Sequence, residues 1–193
     1  MYVTRYDPPK ARVRYVDDGI ELKFTEAAVM LAFAFHLLEQ SEGEAEVFIH
    51  PDGEHAKLFD ISDLLVRRGF HKTASIGKTN YGGRYVRDLH TITVNPTSGL
   101  GDVVAIINGQ RIVAECKGGT VNSSHPGQKS RLRRGLSELI GQLMILPKGD
   151  ERQIAVLPHT TEVQRQALKM KDRCLSAGIE IALVQQDGAV NFI

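Results

Sequence analysis

Two acids and a lysine are gathered by the stretch from Gly101 to Lys117, GDVVAIINGQRIVAECK. Asn108-Gly109 reads as a two-residue hairpin turn, because both residue types accept positive φ. With that pair as the loop, Ile107 faces Gln110 and, counting outward, Asp102 faces Glu115. Directly opposed side chains share one face, with Cβ atoms about 4.5–5.5 Å apart. Lys117 lies two residues past Glu115 and points to the same face, while Cys116 points to the other. Two carboxylates this close repel each other unless a positive charge lies between them. Mg²⁺ takes one or two carboxylates plus waters and substrate phosphate, so it is the expected occupant, with Mn²⁺ as a substitute. Lys117 would stabilise charge on a pentavalent phosphate or help deprotonate an attacking water, and the expected chemistry is phosphodiester hydrolysis. An ion pair at a hairpin end is the plainer alternative. Against it, residues 103–107 and 112–114 are continuous apolar runs. Such strands are usually buried on both faces, where charge is costly without a partner.

Asp102 followed by Glu115-Cys116-Lys117, with the apolar strands and the Asn-Gly turn, resembles the PD-(D/E)xK, or restriction-endonuclease-like, nuclease superfamily. The likeness is to Holliday-junction resolvases and Mrr-type endonucleases. It implies that Asp102 and Glu115 bind the metal and that Lys117 is the catalytic lysine. It also implies an α/β fold, with a central mixed β-sheet flanked by helices. Gly101 stands where the family name has Pro. A role in DNA repair, restriction or defence would follow from the resemblance alone.

The elements that must carry these residues are legible in outline. Residues 11–16 and 20–24 read as a hairpin around Asp17-Asp18-Gly19. Thr25 is a plausible N-cap, with Glu26 in the first turn of a helix to about Gln40. That helix is apolar nearly all round, the mark of a core helix or of a homodimer contact. Residues 46–50 read as a strand, and Pro51-Asp52-Gly53 as a turn. His50, Asp52, Glu54 and His55 form a weaker metal-cluster candidate, and the turn reading is preferred. Residues 58–70 read as a helix ending in Arg-Arg-Gly-Phe. By the resemblance, an acid on that helix, Asp60 or Asp63, would lie near the site. Residues 71–76 and 84–94 read as strands. A polar loop follows Lys117, and Ser130 is the expected cap of a helix from Arg131 to about Leu146. Glu138 and Gln142 are four apart on one face of it, and the resemblance implies that Gln142 or Glu138 supports the metal ligands from behind. A strand at 153–157, a helix at 161–177, a strand at 179–184 and a turn at Asp187-Gly188 complete the α/β pattern. The expected organisation is an N-terminal hairpin and apolar helix extension over residues 1–55 and a nuclease-like core over 56–193.

With 193 residues, the chain is long enough for one domain with a sizeable core. Net charge is +1, which carries no global nucleic-acid signature. The charge is local instead. Residues 67–87 hold Arg67, Arg68, Lys72, Lys78, Arg84 and Arg87 without an acid, and residues 117–134 hold Lys117, Lys129, Arg131, Arg133 and Arg134 without one. Arg84, Arg87, Lys129, Arg131 and Arg134 are therefore the candidate phosphate contacts, positioning a backbone without reading bases. Two cysteines give no disulfide framework, and a reduced, cytoplasmic setting is expected. No apolar run is long enough for a membrane span. The leading expectation is thus a metal-dependent endonuclease acting on DNA. The alternatives are a non-catalytic nucleic-acid-binding or assembly module on the same fold, and an RNA-cleaving nuclease. A homodimer is expected only on the ground that double-strand cutting needs two sites.

Overall fold

In the computed structural model, which describes residues 1–51, 58–97, 99–146 and 149–193, the chain folds as an α/β protein around a large mixed sheet. Its strands are β1 (Val3–Tyr6), β2 (Glu21–Phe24), β3 (Ala45–Ile49), β4 (His71–Ser75), β5 (Gly83–Arg87) and β6 (His90–Val94). They continue with β7 (Val103–Ile107), β8 (Gln110–Cys116), β9 (Gly119–Thr120), β10 (Arg152–Pro158), β11 (Ile179–Val184) and β12 (Val190–Phe192). The helices are α1 (Glu26–Glu39), α2 (Ile61–Arg67), α3 (Pro126–Ile145) and α4 (Thr161–Ser176). Nine strands run in the order β12-β11-β10-β8-β7-β3-β6-β5-β4, and β1-β2-β9 form a separate small sheet.

β8, β10 and β11 are parallel, whereas β7 is antiparallel to both β8 and β3. Alternate residues of β10 divide the core. Ile154 and Val156 join the cluster under α1, and Ala155 and Leu157 join the cluster under α3 and α4. The apolar residues of α1, from Ala27 to Leu38, are buried within the chain, so this helix is a core element with no free apolar face. Thr25 caps it, its hydroxyl accepting from Ala28 N. Strand β3 lies between β7 and β6, so residues on both sides of position 55 build one sheet. Among the described residues no helix is long and apolar enough to cross a membrane. Both cysteines are free and buried.

Local expectations fail where tertiary pairing or a backbone rule overrides the pattern. The N-terminal hairpin pairs β1 with β2, and residues 10–15 form a 3-10 turn rather than its first strand. The alternation of residues 11–16 imitates a strand, but Pro8-Pro9 break the extended run, and Arg12 N bonds Pro9 O at 2.7 Å. The stretch 84–94 is two strands, because Asp88 takes a φ of 52° and turns the chain. Helix α2 is shorter than the pattern of residues 58–70 suggests, beginning at Asp60, its N-cap, and stopping before Gly69 (φ 82°). Helix α3 starts at Pro126, more than a turn before Ser130, since Pro is preorganised for the first helical position and His125 Nδ1 accepts from Gly127 N.

Candidate metal and nucleic-acid site

The β7–β8 hairpin has the register read from its turn. Ile107 pairs with Gln110 and Val103 with Ala114, across Asn108 (φ 49°) and Gly109 (φ 80°). One step beyond Val103 and Ala114, the carboxyl groups of Asp102 and Glu115 share a hydrogen bond. Cys116 N donates to Asp102 Oδ2 at 2.7 Å, which fixes the aspartate against the strand. Glu115 lies across from Ala155 of β10, whose side chain packs under α3, so the acids open on the α3 face. Lys117 follows on that face, and its Nζ donates to Glu138 Oε1 of α3 at 3.2 Å.

Electrostatics distinguish the three groups. Burial raises Glu115, and the neighbouring Asp102 charge and hydrogen bond add to it, to about 7 from the ordinary 4.5. Burial also raises Asp102, against the lowering by the Cys116 N–H and by the hydrogen bond from Glu115. Both carboxyl groups are thus held above their ordinary range, and they titrate as a pair. For Lys117, burial lowers the amine, but the Glu138 hydrogen bond and the charges of Glu26 and Asp102 together raise it above its ordinary value. Lys117 is held as a cation.

A further acid, Glu26, acts here beyond its place in the first turn of α1. It sits at the start of α1, and its charge acts on Glu115, Cys116 and Lys117. A Cβ on Gly118 would come within 2.5 Å of Glu26 N, which shows how tightly the Lys117 loop is laid against the α1 terminus. The signal was available: Glu26 is the lone acid at the head of an otherwise apolar, buried helix.

The other candidates are dispersed. Asp60 caps α2, its Oδ1 accepting from Asp63 N at 2.9 Å, and the acid acting on the Asp102–Glu115–Lys117 group is Glu26 instead. Gln142 is exposed one helical turn beyond Glu138. Arg131 lines a cavity with Lys117, and Lys129 pairs with Glu162 at 3.5 Å. Arg134 is exposed on α3. Arg84 lies three strands from β7, lining a broad cavity on the open part of the sheet with Phe48, Ile106 and Arg111. Arg87 is turned away at the other end of its strand, donating to Arg68 O at 3.0 Å with its guanidinium over the Phe70 ring. His50 stands near Asp102, its Nδ1 donating to Thr97 O at 2.7 Å, while Asp52, Glu54 and His55 lie outside the described residues.

Among the described residues no group of three His, Cys, Asp or Glu side chains is placed to hold a metal ion. The donor set is instead a pair of carboxylates. That pair suits a hard divalent cation which completes its shell with water and phosphate oxygens. Comparison with family models, with curated proteins and with solved structures finds no match to this chain.

Proposed function

We propose that the chain is a metal-dependent endonuclease of the PD-(D/E)xK type, hydrolysing phosphodiester bonds in nucleic acid, with DNA as the expected polymer. The observation that carries this reading is the Asp102–Glu115 carboxyl pair, with a lysine two residues past Glu115 on the same face, its amine on Glu138 at 3.2 Å. Two adjacent carboxyl groups are a site for positive charge. Asp102 and Glu115 would hold Mg²⁺ or Mn²⁺. When bound, that ion polarises a phosphoryl oxygen and lowers the pKa of a coordinated water.

The protein's own groups have separate tasks. The Cys116 N–H orients Asp102 by holding its Oδ2 against the strand. Glu138 holds the Lys117 amine in place on the α3 side. Because Lys117 is kept protonated, it acts by stabilising negative charge on the phosphate rather than as a base. A cation held by Asp102 and Glu115 would take the place of the proton that the raised pair favours.

The test is cleavage of supercoiled plasmid, a branched duplex and single-stranded RNA with Mg²⁺ or Mn²⁺, against EDTA and the Asp102→Ala and Lys117→Ala proteins. Metal-dependent cutting lost in both variants is the expected result, and the three substrates identify the polymer. Binding without cutting of any substrate would overturn the catalytic reading in favour of a nucleic-acid-binding module.

A further inference from the structure

A cavity of about 430 Å³ adjoins the site on the side of the small β1-β2-β9 sheet. That size falls within the range of ligand pockets, about 300–1,000 Å³. Arg12, Lys23, Lys117 and Arg131 line it, with Glu26 as the acid of the lining and Gln128 as a neutral donor. These cations come from four separate places: the 3-10 turn, β2, the loop after β8, and α3. Convergence of like charges from unrelated segments is unfavourable unless something negative is served by it.

Part of that negative charge is built in. Glu21 is fully buried, and Arg12 Nε lies 3.3 Å from its Oε1. Among the described residues no hydrogen bond reaches Arg12 Nε or either Glu21 oxygen. The buried carboxylate therefore anchors Arg12 by charge, while about a quarter of the Arg12 side chain stays exposed at the cavity wall. Lys23 stands over the Tyr6 ring at 3.6 Å, which helps to hold its amine in place. Burial lowers the Lys23 amine from its ordinary value, the Glu21 charge raises it, and the Arg12 and Arg131 charges lower it again. Arg12 is answered by Glu21 and Lys117 by Glu138, so Lys23 and Arg131 against Glu26 leave the lining with a surplus of positive charge, and Lys117 joins this lining to the Asp102–Glu115 pair.

We propose that this cavity is a phosphate subsite, in which Arg12, Lys23 and Arg131 grip a phosphate of the substrate strand beside the scissile one. The subsite rests on the nuclease reading for its substrate class. Its ligand chemistry is a phosphate group, from either an internal diester or a terminal monoester of the strand.

The experiment uses the full chain in EDTA and a short fluorescent DNA oligonucleotide carrying a 5′-phosphate, with a 5′-hydroxyl version in parallel. Affinity is read by anisotropy over a range of salt. Lys23→Gln and Arg131→Gln should each weaken binding about tenfold and lower the salt slope by about 1. Both variants leave the buried Glu21–Arg12 pair intact, so their folding is checked by an unchanged melting curve. Loss confined to the 5′-phosphate oligonucleotide identifies a terminal phosphate, and equal loss for both identifies an internal one. With Mg²⁺ present, the loss should appear in KM. Unchanged affinity in both folded variants would overturn the subsite, even if plasmid cleavage occurs. Weakened metal-free binding without cleavage would overturn the nuclease reading and keep the phosphate pocket. No metal-free binding by the parent chain would overturn the subsite, and absence of cleavage with Mg²⁺ as well would overturn both.

Discussion

Asp102 Oδ2 accepts a 2.7 Å hydrogen bond from the backbone N–H of Cys116, the residue between Glu115 and Lys117. The bond ties the side chain at the start of β7 to the end of β8. The hairpin thus aligns one carboxylate with the other by main-chain geometry, and buries the intervening Cys116 thiol on the opposite face.

Loss of the lysine amine should separate chemistry from folding. Lys117→Ala removes a half-buried cation whose partner, Glu138, is exposed and solvated. The melting temperature should change little, because exposed pairs contribute about 0–1 kcal/mol. Cleavage of plasmid should fall by at least about 100-fold. Glu138→Gln should lower it less, about 10-fold to 100-fold, by freeing the amine from its position.

The carboxyl pair makes stability depend on pH in a definite direction. Below pH 4.5 the folded and unfolded chains both carry the Glu115 proton. Between 4.5 and about 7 only the folded chain keeps it. The folded state then binds more protons than the unfolded state, so metal-free stability falls as pH rises through that window. Asp102, also raised, acts in the same sense. Thermal unfolding in EDTA should show this decline, and Mg²⁺ should offset it most above pH 7. Glu115→Gln should flatten the decline.

Breaking the Arg12–Glu21 pair from one side should be costly. Arg12→Ala leaves a fully buried carboxylate without its counter-charge. The expected destabilisation is about 3–5 kcal/mol. Removing both charges, Arg12→Met with Glu21→Leu, should recover much of it. Urea unfolding of the three proteins checks the order.

Two glycines should answer differently. Gly118→Ala would drive a methyl to within 2.5 Å of Glu26 N and 2.6 Å of Phe24 O, so the Lys117 loop and the α1 terminus must part. We expect a loss of about 1–3 kcal/mol together with lost cleavage. Gly109→Ala, at φ 80° in the open hairpin turn, should cost about 1–3 kcal/mol of strain while cleavage is retained. Paired melting and plasmid assays distinguish the two.

The residues best read from sequence are those fixed by short-range geometry. The Asn108-Gly109 turn determined the hairpin register, and the register determined that Asp102 and Glu115 meet and that Lys117 shares their face. A strand has a period of two, so no distant contact was needed for that deduction. Thr25 as a cap follows from a similarly local rule, whereas the apolar run of α1 fitted either a core helix or a homodimer contact until packing buried it. The start of α3 and the pairing partner of β2 were misread because their patterns fit two local structures equally well. Proline geometry and the pairing of Val3–Tyr6 with Glu21–Phe24 made the choice. Nothing local to Glu26, Arg12 or Lys23 ties them to a residue so distant in sequence, and only the packing of the small sheet and the α1 terminus against the Lys117 loop brings them there. The sequence by itself therefore determined the carboxyl pair and its lysine, through the fixed alternation of one hairpin. The tertiary structure decided which further charges surround them, because long-range packing selects among the many surface charges that a sequence displays alike.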